Sequence, residues 1–377
     1  MAGVLILTPV LLVGGTERHT QLLARVLCEA GHAVEVWCYH EHEPAMVEAV
    51  QAAGARVRLL GLRRKDGLLH LARVLRRLLM EQRPDLVHVE YVAPGFVPVL
   101  AARLAGVNRV FATVHQPATP YGRKARLLLR AAARLCTAFF CVSQAAERSW
   151  FRDSQAWQPG KKVGSRRHWT LYTGVEVGAI AASATAEGPA LQERLGLSGH
   201  PVVGVVGRLR HEKGQDVLLG AMSEVIGQVP EARLLVVGDG PDRDGLRAQS
   251  KRLGIADKVI WAGAQTPEQV YGTYGAMDVL AVPSRFEGFG LVAVEGMAAG
   301  LPVVASDVEG LREILEGMPG GKLVPVGDAG ALAKAIVESL QDPKARAGFG
   351  AQAQAEVARR FSMGEFAAAH RALCGEE

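Results

Sequence analysis

Short apolar segments alternate with helical segments along most of this chain, and that alternation constrains the fold more than any other feature. Segments such as "GVLILTPV" and "RVFATVH" are short and almost continuously apolar. The stretches between them, such as "ERHTQLLARVLCEAG", carry apolar residues at helical spacing. Short buried strands joined by helices are typical of a parallel sheet with helices on both faces. The sequence therefore predicts an α/β protein.

The alternation is interrupted between about residues 151 and 201 and then starts again. The interruption is first polar and basic, in "RDSQAWQPGKKVGSRRHW", and then rich in small residues. A chain of 377 residues is long enough for two domains of roughly 150–200 residues each. We expect two Rossmann-like, doubly wound domains, over residues 1–180 and 181–355, that face each other across a cleft. A C-terminal helix is expected over residues 356–377, and its packing back on the first domain stays open.

Composition excludes several classes of protein. Hydrophobic residues make up 49% of the chain, which is enough for large cores and argues against disorder. The five cysteines form no CxxC pair, so we expect a reduced, cytoplasmic protein without a zinc site. The apolar start "MAGVLILTPVLLVGG" lacks a basic segment and is broken by Pro9, which favours a buried strand over a signal peptide. No stretch of about 18 uncharged apolar residues is present, so no transmembrane helix is expected.

Two adjacent glycines, Gly14 and Gly15, follow the first predicted strand and open a helix. Glycines at such a turn let a ligand approach the backbone, and the helix N-terminus attracts anions. The pattern is not G-x-G-x-x-G and lacks a clear acidic residue about twenty positions further on, which disfavours a nicotinamide site. A tight turn without a ligand is the alternative.

Arg208 and Lys213, in "VVGRLRHEKGQD", lie just past the first strand of the second domain. Two cations at the carboxyl end of a strand can neutralise a pyrophosphate without a metal ion. Arginine can bind two oxygens at once, and lysine acts as a point charge. The alternative is a solvated loop in which Glu212 pairs with Lys213.

The stretch "SRFEGFGLVAVEGMAAGLPVVASDVEG" places Glu287 in a strand-to-helix loop and Glu295 inside the following helix. The helix N-terminal N–H groups of Phe289, Gly290 and Leu291 would point at an anion. Both carboxylates would then flank a phosphate and accept hydrogen bonds from sugar hydroxyls. The alternative is a helix cap by Glu287 and a solvated Glu295, but the apolar residues around Glu295 imply a largely buried helix.

Taken together, these segments resemble family-4 retaining glycosyltransferases. "FEGFGLVAVEGMAAGLPVVAS" is similar to the glutamate-x7-glutamate segment of that family, and "GRLRHEKG" is similar to its phosphate-binding Arg/Lys segment. The "GG" before "ERH", "VVGDGP" and "VIWAG" match in order and spacing, so the resemblance covers nearly the whole chain. It implies the GT-B fold, with two Rossmann-like domains of which the second holds most of the nucleotide sugar.

The resemblance also implies roles for individual residues. Arg208 and Lys213 would hold the donor diphosphate. Glu287 would contact the hydroxyls of the donor sugar, and Glu295 would contact the ribose. The remaining donor-binding positions would be glycines and backbone amides, namely Gly14, Gly15, Phe289, Gly290 and Leu291.

Two further residues are implied by the resemblance. Gln265, in "WAGAQT", would contact the base, and His115, in "FATVHQPATPYG", would contact the sugar near the reacting carbon. Without the resemblance, His115 would be an ordinary surface-loop histidine. The chain departs from the family pattern at residues 173–176, where Thr-Gly-Val-Glu replaces the frequent Asn-Gly-Val-Asp, and in the basic stretch 155–169.

The expected chemistry follows from the charges of the reaction. Breaking the anomeric C–O bond leaves negative charge on the diphosphate, which cations and a helix N-terminus stabilise. The resemblance implies front-face attack with retention, in which the leaving phosphate helps to deprotonate the acceptor. No metal or other cofactor is expected, and a UDP-sugar donor is a guess from family frequency. Glu287 could act as a nucleophile only if it faced the anomeric carbon.

Charge is distributed unevenly along the chain. Residues 1–185 contain 24 Lys and Arg against 13 Asp and Glu, whereas the remainder has 19 against 25. Residues 63–77 carry six of the basic residues, and four arginines lie along one side of a predicted helix: Arg123, Arg126, Arg130 and Arg134. A basic amphipathic helix can bind a membrane surface or an anionic acceptor, or it can be a solvated face. Nucleic acid is disfavoured because aromatic residues for stacking are scarce there.

The acceptor side is expected in the first domain, from Arg123 and from the end of a predicted strand, His88, Glu90 and Tyr91. The sequence thus predicts a retaining hexosyltransferase of polysaccharide biosynthesis that acts on a glycan or lipid-linked acceptor. It is expected in the cytoplasm, with attachment to the inner face of the membrane left open. The alternatives are a GT-B sugar-nucleotide epimerase or hydrolase, and a non-catalytic protein that binds nucleotide sugars or anionic lipids.

Overall fold

The computed structural model describes residues 2–91 and 96–375. They fall into two units, of which the first combines Met1–Gly174 with the C-terminal segment Gly364–Glu377 and the second is Val175–Met363. Each unit holds a parallel sheet with helices, which confirms the predicted α/β class.

The sheet of the first unit has seven strands among the described residues. They are β1 Gly3–Thr8, β2 Ala33–Cys38, β3 Arg56–Leu59, β4 Leu86–Tyr91, β5 Arg109–Val114, β6 Ala138–Cys141 and β7 His168–Thr170. Their order in the sheet is β3-β2-β1-β4-β5-β6-β7, and the neighbouring pairs are parallel. The order reverses between β1 and β4, and ligands of such sheets bind where the carboxyl ends of the strands flank this reversal.

Helices cover this first sheet. They are α1 Gly15–Glu29, α2 Pro44–Ala52, α3 Gly67–Gln82, α4 Phe96–Leu104, α5 Arg123–Leu135, α6 Gln144–Phe151 and, at the C-terminus, α15 Met363–Cys374. The strands supply continuous apolar side chains to the core, as predicted from their sequence. Leu5, Val87 and Val110 are buried there with Leu75 of α3 and Leu129 of α5.

The sheet of the second unit has six strands in the described part of the chain. They are β8 Val202–Val206, β9 Arg233–Val237, β10 Val259–Gly263, β11 Val279–Val282, β12 Val303–Ser306 and β13 Gly321–Val324. Their order is β10-β9-β8-β11-β12-β13, so this sheet reverses its order between β8 and β11.

The helices of the second unit surround this sheet. They are α7 Val177–Arg194, α8 Gln215–Gln228, α9 Arg243–Arg252, α10 Pro267–Tyr274, α11 Leu291–Ala298, α12 Glu309–Leu315, α13 Ala329–Gln341 and α14 Pro343–Phe361. Val203, Leu234 and Val279 from the strands are buried against Leu218 of α8 and Ile336 of α13. No helix in residues 2–91 and 96–375 is both long and apolar enough to cross a membrane.

The stretch that interrupts the sequence pattern contains two elements that its composition does not predict. β7 is only three residues long and directly follows two arginines, and α7 contains helix-disfavouring residues such as Gly188 and Pro189. A Cβ at Gly188 would lie 2.5 Å from the backbone of Gly275, so the small residue permits close packing of α7 at the end of α10. The predicted domain boundary after residue 180 lies inside α7.

The C-terminal region forms two helices, α14 and α15, where one helix over residues 356–377 was predicted. α14 lies in the second unit, whereas all of α15 after Met363 lies in the first. There the Arg109 guanidinium donates to the carbonyls of Leu373 and Cys374 at 2.7 and 3.2 Å. α15 therefore packs on the N-terminal unit.

Candidate functional site

The second unit brings together two loops that follow its central strands. One loop follows β8 and contains a short helical turn, His211–Lys213, and the other links β11 to α11. Gly214 has φ +68°, and a Cβ there would lie 2.0 Å from the carbonyl oxygen of Pro283. The two loops therefore touch at the order reversal of the sheet, where their side chains can share a ligand.

Lys213 and Glu287 meet directly across these loops. Lys213 Nζ donates to Glu287 Oε2 at 2.7 Å, and Ser284 Oγ lies 3.3 Å from the same oxygen. The two charged side chains are 32% and 18% exposed. The pair is thus accessible, and the ammonium is available to any anion that enters.

Glu287 does not cap the following helix, which corrects one alternative from the sequence. The residue before α11 is Gly290 at φ +93°, and α11 has no side-chain cap. The alternative pairing of Lys213 with Glu212 is also not what the structure shows, since Lys213 pairs with Glu287.

Arg285 joins the two loops, although no pattern in the sequence marks it as a site residue. Its guanidinium binds the Asp216 carboxylate with two hydrogen bonds, at 2.8 and 2.7 Å. It also donates to the carbonyl of His211 at 2.6 Å. The Arg285 hydrogen bonds lower the pKa of Asp216 below its usual range, so the pair keeps its charges at neutral pH.

Arg208 follows β8, and its backbone carbonyl accepts a hydrogen bond from Gln215 Nε2 at 2.9 Å. Its side chain is half-buried, and within residues 2–91 and 96–375 its guanidinium forms no hydrogen bond or ion pair. Arg208 therefore keeps its donors for another partner, whereas Lys213 on the same loop is held by Glu287.

Glu295 lies inside α11 and is 7% exposed, so the alternative of a solvated carboxylate is excluded. Its Oε2 accepts a hydrogen bond from the buried Tyr274 hydroxyl at 2.7 Å. Burial is the largest cause that raises the pKa of Tyr274 well above its usual range, and the neighbouring Glu295 carboxylate raises it further. Tyr274 therefore stays a hydrogen-bond donor.

The other donor-side candidates occupy the same edge of the second sheet. The Phe289 ring is buried and packs edge-on against Phe361, and Leu291 begins α11. Gln265 follows β10 and donates to the Ala262 carbonyl at 3.0 Å. Gln265 and Ala262 line a cavity of 560 Å³ between α7 and α10.

In the first unit, Gly14 and Gly15 stand at the start of α1. Gly14 is extended, and a Cβ there would lie 2.7 Å from the end of the flexible Glu17 side chain. A Cβ at Gly15 would meet nothing within 4 Å. Gly14 therefore lets the buried Glu17 carboxylate lie close to the chain, whereas Gly15 borders open space that a ligand could enter.

His88 and Glu90 were expected to line an acceptor surface, but both lie inside the first unit. Their side chains point to the same face of β4 because they are two positions apart, and they are 2% and 0% exposed. His88 Nε2 is 2.8 Å from Thr113 Oγ1 on β5. The side chain of Tyr91 lies outside the described part of the structure, and Arg123 is the exposed first residue of α5.

Glu90 is the centre of a buried group of imidazoles. His115 Nε2 lies 2.5 Å from Glu90 Oε2, and the Nε2 atoms of His88 and His19 lie 3.4 and 3.7 Å from Glu90 Oε1. The His19 ring also packs against the rings of His115 and His370.

Burial sets the protonation of this group. It raises the pKa of Glu90 to about 7 and lowers the pKa of both His19 and His115 to about 3. Burial also lowers the pKa of His88 well below its usual value and that of His370 to about 4. The cluster therefore resists net charge of either sign.

His19, Glu90 and His115 each place one ligand atom within 4.8 Å of the others, which is a spacing that could hold a metal ion. Ligands of one zinc ion with bonds of 2.0–2.1 Å lie about 3.3 Å apart in a tetrahedral site. The 2.5 Å between Glu90 and His115 is shorter and indicates a hydrogen bond between them. A shared proton fits these two groups better than a shared metal.

The basic helix α5 uses part of its charge internally. Arg130 Nε donates to the Trp150 carbonyl at 2.8 Å, and Arg126 reaches the Ala118 carbonyl at 3.4 Å. The six basic residues within 63–77 are all exposed along α3 and the turn before it, although Arg64 binds Glu41 and Arg76 donates to the Leu104 carbonyl. The sequence did not distinguish these two regions.

His19 and His370 were not predicted as site residues. His19 is visible in the segment "GGTERH", one turn after the two glycines, so its position at the start of α1 was available as a signal. His370 lies in the C-terminal helix, far along the chain from Glu90, and carries no comparable signal.

Residues 13–155 match Glycosyltransferase Family 4, and residues 189–356 match Glycosyl transferases group 1. The chain is 46% identical over 140 residues to a D-inositol 3-phosphate glycosyltransferase of Segniliparus rotundus. That match covers 36% of the chain and only 31% of the relative, so the chain spans about a third of that protein's length.

A longer match is with a GDP-mannose-dependent alpha-(1-6)-phosphatidylinositol monomannoside mannosyltransferase of Mycolicibacterium smegmatis. The two are 30% identical over 286 residues, which covers 73% of the chain and 72% of the relative. Among solved structures, Anabaena Alr3699/HepE in complex with UDP and glucose is similar, with a TM-score of 0.82 at 22% identity over 100% of both chains. This structural likeness establishes a shared fold.

Proposed function

Because the chain belongs to glycosyltransferase family 4 and has the GT-B fold, we propose that it is a retaining hexosyltransferase that needs no metal ion. Its donor is a nucleotide diphosphate sugar, and its acceptor is a glycan or a lipid-linked precursor made at the cytoplasmic face of a membrane. The reaction would belong to polysaccharide biosynthesis.

The observation that carries this proposal is the contact of Lys213 with Glu287 at the order reversal of the second sheet. A phosphate oxygen that enters beside Lys213 would compete with the carboxylate for the ammonium. Glu287 could then accept hydrogen bonds from sugar hydroxyls. Arg208, whose guanidinium has no partner in the described chain, would bind a second phosphate oxygen.

The charges of these residues suit the bond that breaks. Negative charge develops on the departing diphosphate, and fixed cations stabilise it without reorganisation at the moment of reaction. Glu287 is already engaged by Lys213 and Ser284, which supports a binding role over attack on the anomeric carbon. Front-face attack, with the leaving phosphate taking up the acceptor proton, is therefore the proposed course.

Donor turnover with and without acceptor tests the reaction class. We expect a purified chain to convert donor only when acceptor is present, to give a product of retained anomeric configuration by NMR, and to be unaffected by EDTA. Equal turnover without acceptor would indicate the hydrolase or epimerase alternative. Tight donor binding with no turnover against a broad acceptor panel would indicate a non-catalytic binding protein.

The proposed donor is a nucleotide diphosphate sugar, and the similar proteins point to different bases and sugars for it. One relative is named for GDP-mannose, whereas the similar structure contains UDP and glucose. UDP remains the guess from family frequency. A ligand that binds only the native state raises the melting temperature, so a thermal-shift series of UDP-, GDP- and ADP-sugars ranks the candidates.

A second observation favours attachment to an anionic membrane surface through one face of α3. Leu69, Arg73, Arg76 and Met80 follow each other at spacings of four and three residues, and all are exposed. Leu69 and Met80 are 75% and 46% exposed, so the two arginines on this face are flanked by apolar side chains that solvent reaches. Exposed cations attract anionic lipid headgroups, and the neighbouring apolar side chains could enter the headgroup layer.

Two sets of substitutions separate α3 from α5. The triple variant Arg73→Glu, Arg76→Glu and Arg77→Glu should lose binding to vesicles of phosphatidylglycerol and phosphatidylcholine. The matched triple variant Arg123→Glu, Lys124→Glu and Arg134→Glu on α5 changes the same charge and should retain it. Binding of the unmodified chain should weaken as salt is added. Loss only in the α5 variant, or salt-insensitive flotation, would contradict attachment through α3.

A further inference from the structure

The buried Glu90 carboxyl group is placed next to His115 by the first sheet itself. β4 and β5 are parallel neighbours, and their register pairs Glu90 with Thr113. His115 is the residue immediately after β5, so its imidazole reaches back over the end of β4. His115 Nε2 is thereby within hydrogen-bonding distance of Glu90 Oε2, at 2.5 Å.

The other groups that face Glu90 are also imidazoles. His19 comes from α1, His88 from β4 itself, and His370 from α15 lies beyond His19. Within residues 2–91 and 96–375, no lysine or arginine pairs with Glu90. The proton that neutralises this carboxylate must therefore be shared with a histidine.

The flanking histidines are anchored by other partners. His19 Nδ1 lies 3.0 Å from Thr173 Oγ1, and His88 Nε2 lies 2.8 Å from Thr113 Oγ1. His115 has Glu90 as its hydrogen-bond partner in the described chain. The ring of His115 is thus held through Nε2 alone, and Nδ1 is the nitrogen left for a ligand.

We propose that Glu90 is a positioning residue for His115. The Glu90 carboxyl group fixes the His115 ring through Nε2 and keeps a hydrogen on Nδ1, which can then bind the donor sugar. The inference rests on the proposed function, since it assumes that His115 contacts that sugar. It assigns to Glu90 a role on the histidine rather than on the acceptor.

Counting protons shows why the pair presents a donor. When Glu90 and His115 together are neutral, the shared proton lies either on the carboxyl group or on Nε2. In the first case the neutral imidazole carries its hydrogen on Nδ1, and in the second the imidazolium carries hydrogens on both nitrogens. Nδ1 therefore donates in both cases. If the pair loses its proton, Nε2–H donates to the carboxylate and Nδ1 becomes an acceptor.

Burial favours the neutral pair, because it raises the pKa of Glu90 to about 7 and opposes a net charge in the cluster. Loss of the shared proton should consequently remove activity on the alkaline side of neutrality. A glutamine at position 90 can donate its amide N–H to Nε2, and with the amide in that orientation the neutral imidazole keeps its hydrogen on Nδ1 without a proton that titrates near pH 7. An alanine can do neither.

The test compares pH profiles of kcat and kcat/KM for Glu90→Gln and Glu90→Ala in the full chain. We expect Glu90→Gln to keep kcat within about 10-fold and to lose the alkaline limb near pH 7. Glu90→Ala should lose about 100-fold in kcat with little change in donor KM, the loss that a misplaced reacting group can cause. Equal losses in both variants, or an alkaline limb that persists in Glu90→Gln, would overturn the proposal.

A second readout does not depend on activity. The ¹⁵N chemical shifts of the His115 ring, assigned with a His115→Gln variant, distinguish the Nδ1–H and Nε2–H forms. We expect Nδ1–H below pH 7 in the unmodified chain and at all pH values in Glu90→Gln. An Nε2–H form at pH 6, or a stoichiometric metal ion whose removal shifts these signals, would overturn the proposal. If the chain transfers no sugar at all, the shifts still decide the state of the pair.

Discussion

The two units each hold a carboxylate next to a nitrogen base at the carboxyl end of a central strand, but in opposite surroundings. In the second unit, Glu287 meets Lys213 in a loop that solvent reaches. In the first unit, Glu90 meets His115 inside the protein, where no lysine or arginine of the described chain pairs with it. The contact distances are similar, at 2.7 and 2.5 Å.

The difference shows what each contact can do. An accessible ion pair costs little to separate, so an incoming diphosphate can take the ammonium from the carboxylate. A fully buried pair strongly disfavours net charge and therefore holds a proton between its members. The second unit is suited to binding a charged ligand, and the first to fixing the protonation and orientation of one histidine.

The largest expected effect is on the accessible pair. Lys213→Ala should lower kcat/KM by about 100- to 1,000-fold, the cost of removing one group that stabilises transition-state charge. The melting temperature should change little, because solvent reaches the half-buried pair and screens its charges. Lys251→Ala, an exposed lysine on α9, is the matched control and should keep full activity. Near-normal turnover by Lys213→Ala would show that the pair has no role in transfer.

Removing a buried contact in the second unit should affect stability more than removing the accessible pair does. Tyr274→Phe removes the hydroxyl that donates to Glu295 and should lower the free energy of unfolding by about 1.5–3 kcal/mol, the range for hydrogen bonds to charged groups. Urea unfolding measures this change. If Glu295 also contacts the ribose, the donor KM should rise in parallel. An unchanged midpoint would mean that the hydrogen bond adds nothing to stability.

Much of this arrangement could be predicted from the sequence because parallel sheets collect the ends of their strands at one edge. Lys213 and Glu287 follow strands whose apolar runs are easy to recognise, so their contact follows from the fold class. The buried position of Glu295 followed in the same way from the apolar residues around it.

The buried cluster could not be predicted, because it depends on packing between distant segments. His19 and His370 are separated by most of the chain, and their rings meet only after α15 packs on the first unit. The burial of Glu90 also depends on that packing, which is why a strand-end carboxylate was expected at a surface. The Arg285 contact with Asp216 joins two loops whose spacing no local pattern reports.

The free energy of unfolding should depend on pH through the buried histidines of the first unit, which the accessible pair of the second unit lacks. Burial lowers the pKa of His370 from 6.5 to about 4, so between these values the unfolded chain binds a proton that the folded chain refuses. Stability should therefore fall as the pH drops from 6.5 to 4. His370→Gln should reduce that slope by about 1.4 kcal/mol per pH unit.

Tryptophan fluorescence during urea unfolding is a suitable probe, since four of the five tryptophans lie in the first unit. His42→Gln, at an exposed position in the same unit, should leave the slope unchanged. The same slope in His370→Gln and in the unmodified chain would mean that His370 is protonated in the folded state.

The smallest effect is expected at the Arg285 contact with Asp216. The two side chains are 25% and 39% exposed, so screening by solvent limits their contribution to about 0.2–1 kcal/mol. Asp216→Asn should thus shift the unfolding midpoint only slightly. Activity should fall several-fold, because Arg285 joins the loops that carry Lys213 and Glu287. Full activity in this variant would show that the loops hold their geometry without it.

A crystal structure with a bound nucleotide diphosphate sugar would test most directly whether Lys213 and Glu287 bind the donor. We expect the diphosphate oxygens within about 3.5 Å of Lys213 Nζ and the Arg208 guanidinium, with Glu287 turned to the sugar hydroxyls. A donor bound elsewhere, with Lys213 still on Glu287, would contradict the assignment of this pair to the transferred sugar and its leaving group.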